Sequence, residues 1–163
     1  SGRIFFDYWD LTTLSEKEQA DFRLNTIGFI FQNFNLIPSL TIRENVSLPM
    51  IRLKSKAEVL QRVNLLLEKV GIGHRGDNLP DTLSVGEKQR VAVARALANK
   101  PKIILADEPI SNLEDASAEK ILQLLHKINQ EDKVTVILAT NSTDVSRQRC
   151  DRLYRIESGR SKV

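Results

Sequence analysis

Leu83-Ser-Val-Gly-Glu-Lys-Gln-Arg-Val-Ala-Val-Ala-Arg-Ala-Leu97, followed after five residues by Ile103-Ile-Leu-Ala-Asp-Glu-Pro109, decides how this chain is read. Ser84-x-x-Glu87 is a capping-box pattern, in which a hydroxyl and a carboxylate satisfy the free N–H groups at a helix start. Apolar residues then recur at helical spacing. Ile103–Ala106 is a wholly apolar run of strand length that ends on two adjacent carboxylates, Asp107 and Glu108. A strand apolar on both faces, set among helices, predicts a parallel sheet covered on both sides. Ligands bind such sheets at the carboxyl ends of the strands, which is where Asp107 and Glu108 fall. That position suits Mg²⁺ chemistry; taken alone, the pair could also merely cap the next helix.

Downstream, Ala116–Ile128 reads as a helix, apolar at Ile121, Leu124, Leu125 and Ile128, and Val134–Ala139 as a second buried strand. A short helix, a last strand at Leu153–Ile156 and a hairpin turn at Ser158-Gly159 should follow. Upstream, Gly2–Tyr8 and Thr26–Gln32 read as strands, with Ser15-x-x-Glu18 opening a short helix between them. From Thr41 to Leu97 the chain shows three helix starts, Thr41-x-x-Glu44, Ser55-x-x-Glu58 and Ser84-x-x-Glu87, and no strand pattern. The middle helix should run from about Lys56 to Val70, with Val59, Val63, Leu66, Leu67 and Val70 on one face and Gly71 as a left-handed cap. The expected organisation is an α/β core of residues 1–39 and 98–163 interrupted by a helical subdomain, residues 40–97. Gly71–Pro80 is the expected connector.

With 163 residues, 41% apolar and 28% charged, the chain suffices for one domain with a real core. Lys+Arg 24 against Asp+Glu 21 gives a net +3 without any basic run, and aromatics are 6%, so nucleic acid is not an expected partner. Cys150 is the only cysteine, which excludes an internal disulfide and a multi-thiolate zinc site. No apolar stretch approaches the ~20 residues needed to cross a bilayer. The start, Ser-Gly-Arg-Ile-Phe-Phe, lacks a charged leader ahead of an apolar run, so a signal peptide is not expected and the beginning reads as cut. His74 and His126 are expected to be solvated.

Taken in order, these motifs resemble those of ABC transporter nucleotide-binding subunits. Leu83–Arg90 is similar to the L-S-G-G-Q-x-Q-R signature and Ile103–Pro109 to the Walker B strand. Phe31-Gln-Asn-Phe-Asn-Leu-Ile-Pro38 resembles the Q-loop, Ser111–Asp115 the D-loop and Ala139–Ser142 the H-loop. Within the family the chain looks closest to subunits that power lipoprotein release, macrolide efflux and cell-division complexes. The resemblance implies an incomplete P-loop NTPase-like (RecA-like) parallel sheet with a helical subdomain, and ATP and Mg²⁺ as cofactors. Implied partners are a second nucleotide-binding subunit and a transmembrane permease subunit, at the cytoplasmic face of the cell membrane. It also implies roles. Asp107 and Gln32 would hold the metal, Glu108 would activate water and Gln32 would sense the γ-phosphate. Asn141 would replace a γ-phosphate-contacting His, while Ser84, Val85, Gly86 and Glu87 would face the nucleotide of the opposite subunit.

The departures bear on activity. No G-x-x-x-x-G-K-[ST] run occurs in the 163 residues, so the phosphate-cradling loop and its strands are missing from this chain and ATP binding is expected to be millimolar or absent. Val85 stands at a signature glycine, and whether it is tolerated depends on φ, because a β-branched residue at positive φ is a steric outlier. Glu87 replaces Gln, Ile110 a Thr and Glu114 an Asp. Asn141 can donate a hydrogen bond but carries no proton or charge. Two readings remain: a transporter ATPase subunit, and a nucleotide-free interaction module that keeps the fold.

Overall fold

The computed structural model describes residues 2–52, 55–141, 150–157 and 160–162. The chain opens with a tight antiparallel ribbon, β1 (Phe5–Phe6) and β2 (Trp9–Asp10). Asp7 between them has φ 51°, so Gly2–Tyr8 is not the single strand expected from its composition but turns back on itself. Ser15 then caps α1 (Glu16–Thr26), its hydroxyl and the Glu18 carboxylate forming a complete capping box. This leads into β3 (Ile27–Ile30), inside the predicted Thr26–Gln32.

The helical stretch follows the predicted starts. Thr41 and Glu44 close a capping box on α2 (Ile42–Ser47), Ser55 accepts from the Glu58 N–H at the start of α3 (Lys56–Lys69), and Ser84 and Glu87 close another on α4 (Val85–Ala96). Gly71, with φ 76°, ends α3 in the left-handed conformation that glycine adopts without a Cβ clash. After α4 come β4 (Ile103–Asp107), α5 (Asp115–Asp132) and β5 (Thr135–Ala139). The expected Leu153–Ile156 strand is present slightly later, as β6 (Arg155–Glu157), which pairs antiparallel with β7 (Arg160–Lys162). The predicted short helix before it and the Ser158-Gly159 turn lie outside the described residues.

The sheet is parallel, in the order β3-β4-β5, with β4 central. Register aligns Gly28, Ile104 and Val136 in one row and Ile30, Ala106 and Leu138 in the next. Ile30 and Ile104 are fully buried, and these rows pack against buried residues of α2 to α5, including Val46, Leu67, Val93 and Ile121. A single apolar cluster thus runs through helical stretch and sheet alike. Gly28 is required here: a Cβ would lie 2.4 Å from the Ala96 carbonyl oxygen of α4, closer than real contacts allow. The opposite face is not covered as the apolar runs predicted, since Ile137 is 52% exposed and β5 alternates between exposed and half-buried residues. Local composition gives a strand's apolarity but not which neighbour covers each face.

Candidate functional site

The carboxyl ends of the three parallel strands bring the predicted residues to one edge. Gln32 follows β3, Asp107 ends β4, and Thr140 and Asn141 follow β5. Glu108 is fixed at three atoms by the end of β5. Its N–H donates to the Ala139 carbonyl at 2.9 Å, one carboxylate oxygen accepts from the Asn141 N–H at 2.8 Å, and the other from the Thr140 hydroxyl at 3.1 Å. Its φ of 45° is uncommon for a residue with a side chain, and these bonds hold it there. Asp107, by contrast, is exposed, and its carboxylate has no hydrogen bond or ion pair to another described residue. Neither acid caps the next helix: that place belongs to Glu114, whose side chain makes no capping bond.

Gln32 is exposed, and its carbonyl accepts from the Asn112 amide at 3.2 Å, which ties the segment after β3 to the segment after β4. Beyond it, Phe34 and Asn35 both have positive φ (60° and 48°), and Arg95 of α4 donates to both of their carbonyls. Burial pushes the Arg95 pKa down. The loop then ends on Asn45, fully buried in α2, which accepts from the Ile37 N–H at 2.8 Å and donates to the carbonyls of Ile37, Leu40 and Thr41.

The start of α4 forms a second, separate group. Ser84 Oγ accepts from the Glu87 N–H at 3.3 Å while Glu87 accepts from the Ser84 N–H at 2.9 Å. Its second carboxylate oxygen accepts from Arg75 Nε at 3.1 Å. The Ser84 N–H, together with the Ser84 hydroxyl and Arg75, holds the Glu87 carboxyl below its ordinary range. Val85 is the first helical residue, has no positive φ and is 45% exposed, so its branched side chain fits the backbone without strain. Gly86 also lacks positive φ, and a Cβ there would only touch Ser117 at an ordinary 3.5 Å, so neither conformation nor packing within this chain requires glycine. The side-chain hydrogen bonds of this turn stay within it and with Arg75; among the described residues none reaches Gln32, Asp107, Glu108 or Asn141.

Sequence reading missed Thr140, Asn112, Asn45 and the clamp made by Arg95. Each acts through a partner distant in sequence or through a backbone carbonyl, which leaves no local pattern. His74 and His126 are exposed, as expected. Among the described residues no three His, Cys, Asp or Glu side chains cluster to hold a metal by themselves. An exposed Asp107 with no partner among the described residues fits Mg²⁺ of the kind that draws its remaining oxygen ligands from phosphate and water. Among the described residues no helix is long and apolar enough to cross a membrane.

Comparison with known proteins bears on family and fold. Residues 1–111 match the family described as ABC transporter. The chain is 44% identical over 153 residues to the macrolide export ATP-binding/permease protein MacB of Rhodopirellula baltica, covering 92% of this chain and 22% of that protein. It is also 44% identical over 161 residues to the methionine import ATP-binding protein MetN of Haemophilus influenzae, covering 98% and 46%. The chain thus spans less than half the length of these relatives, and an export and an import protein match it equally well, so the narrower likeness to the release, efflux and division subunits is not singled out. Among solved structures, the dimeric structure of MJ0796, a bacterial ABC transporter cassette, superposes with a TM-score of 0.80 at 42% identity, covering 90% of this chain and 66% of that one. The structure of cbiO1 from Clostridium perfringens, part of the ABC transporter complex cbiONQ, reaches 0.91 at 32% identity, covering 100% and 65%. The chain belongs to the ABC transporter ATP-binding family, with the P-loop NTPase type of α/β fold.

Proposed function

We propose that this chain is part of the ATP-binding and ATP-hydrolysing subunit of an ABC transporter, which closes as a dimer on nucleotide and drives a transmembrane permease at the cytoplasmic face of the membrane. The observation that carries the reading is the meeting of Gln32, Asp107, Glu108, Thr140 and Asn141 at the carboxyl edge of one parallel sheet, with Asp107 open and Glu108 fixed. Asp107 would hold Mg²⁺ with help from Gln32, and the ion would supply neutralisation of phosphate charge. Gln32 reports the state of the phosphate end to the loop that Arg95 holds. Glu108, held as an acceptor, orients water. Asn141 supplies its backbone N–H to Glu108 whatever its side chain is, and its amide replaces an imidazole only as a neutral hydrogen-bond group.

At the other end, Ser84 and the N–H groups of Val85 and Gly86 would face the nucleotide held by the opposite subunit, with the helix dipole favouring the anion. Glu87 completes that turn, and Val85 limits how closely a phosphate approaches. Residues 40–97 would move as a unit against residues 1–39 and 98–163. Such a movement must break the Lys69 to Asp132 ion pair (2.7 Å) and the Arg62 to Ala98 carbonyl bond (3.5 Å). Hydrogen exchange that finds one uniformly slow core across both parts would count against it.

The 163-residue chain by itself should not hydrolyse ATP, because positioning of the phosphates is nearly all of phosphoryl-transfer catalysis and no G-x-x-x-x-G-K-[ST] run is present. Turnover above background that disappears in Glu108→Gln would refute this. The reading is tested by mixing the chain with an intact, P-loop-bearing cassette of the family and sedimenting with and without ATP. ATP should promote the mixed dimer, Val85→Gly should tighten it, and Ser84→Ala should weaken it by about 1 kcal/mol or more. The alternative, a non-catalytic interaction module, draws support from Asn141 at the H-loop position and from the engagement of both Glu108 carboxylate oxygens by Thr140 and Asn141. Association indifferent to ATP and to both substitutions would favour it.

A further inference from the structure

Glu87 poses a problem for a turn read as facing a phosphate. A carboxylate at the third helical position supports the helix dipole, yet it adds a negative charge where another anion should dock, and like charges brought together across an interface cost affinity. Its two oxygens are both taken: one by the Ser84 N–H at 2.9 Å, the other by Arg75 Nε at 3.1 Å. Arg75 reaches across from the 3₁₀ turn Gly73–Arg75, whose place is set by its own N–H bonding to the Ile72 carbonyl at 2.9 Å. Both side chains are partly withdrawn from solvent, 37% and 23% exposed, so the pair is screened less than a surface pair. With the Glu87 N–H taken by Ser84 Oγ, Val85 and Gly86 keep the first-turn N–H groups that have no acceptor among the described residues.

We propose that Arg75 is a positioning residue of this turn. It cancels the charge of Glu87 and holds that carboxylate turned back onto Ser84, so the Val85 and Gly86 N–H groups can meet a nucleotide phosphate presented by a second subunit. The inference rests on the composite-site reading above. In this role Arg75 acts through the carboxylate that its Nε holds, not as a ligand of the phosphate.

The test uses the 163-residue chain with an intact P-loop-bearing cassette of the family, in ATP and EDTA so that nothing is turned over, with the dissociation constant read by sedimentation. Arg75→Gln should weaken ATP-dependent association by about tenfold, and Arg75→Lys by no more than about threefold. The decisive variant combines Arg75→Gln with Glu87→Gln: removing the uncompensated charge should bring association back to within about threefold of the native chain. Circular dichroism melts of the same variants keep loss of fold apart from loss of docking. If Arg75→Gln associates like the native chain, or if the double variant is as weak as the single, Arg75 is not an electrostatic positioner and the inference falls while the composite-site reading stands. If ATP promotes association of none of the four proteins, the composite-site reading falls and takes the inference with it.

Discussion

The end of β4 and the start of α4 achieve order in opposite ways. At the strand end, Glu108 takes its conformation from residues 31 to 33 positions away, Ala139, Thr140 and Asn141. At the helix start, Ser84 and Glu87 satisfy each other three residues apart, and only Arg75 comes from outside the turn. The first site exists only when the sheet is assembled. The second is largely local and leaves N–H donors facing outward. A site that closes on itself suits a fixed acceptor, and one that stays open suits a contact completed by another molecule.

Removing the foundation of the sheet is the strongest way to separate the two. Ile104 is fully buried in the middle of β4, so Ile104→Ala should cost about 2–5 kcal/mol, measured by denaturant unfolding. Amide exchange should speed at Glu108 and Asn141 well before it does at Glu87; equal loss at both places would mean that the α4 turn also depends on the sheet. Next in size, Ser84→Ala should cost about 1 kcal/mol through loss of the cap, without altering exchange at Asn141. Thr140→Val should be smaller still, about 0.5–1 kcal/mol, because the Asn141 N–H still holds the other oxygen of Glu108. A larger loss would show that the hydroxyl, rather than the backbone, carries the arrangement.

The smallest effect is one of pH. Glu18, Glu44 and Glu87 are each held below the ordinary 4.5, Glu18 first by the Ser15 hydroxyl, Glu44 by the Thr41 N–H and Glu87 by the Ser84 N–H. A carboxylate whose folded pKa is depressed contributes stability in full above its ordinary value and loses it as pH falls through the folded value. Stability should therefore decline below about pH 4.5, and Glu87→Gln should flatten part of that decline. An unchanged acid limb in Glu87→Gln would mean that its capping bonds contribute nothing.

The same contrast explains what could be read from the sequence. Capping boxes at Ser15, Thr41 and Ser84 were legible because a hydroxyl and a carboxylate three residues apart carry their own geometry. Strand positions for Ile103–Asp107 and Thr135–Ala139 followed from continuous apolar runs, and the Gly71 cap from the end of a helical pattern. What stayed hidden was non-local. Nothing near Glu108 announces Thr140, nothing near Asn35 announces Arg95, and the turn at Asp7 was masked by strand-forming neighbours. The concern over Val85 dissolved for a local reason, since a first helical position asks only for ordinary helical φ.

Ser84 stands at one end of α4 and Arg95 near the other, and a helix of 12 residues is a stiff strut of about 18 Å. Gly28 lets that strut lie directly on β3 near Ala96, which gives it a fulcrum close to its far end. A push on the Ser84 tip therefore becomes a smaller displacement of Arg95, beside that pivot, and of the Phe34 and Asn35 carbonyls it holds, so what docks at the tip can be felt in the loop after Gln32.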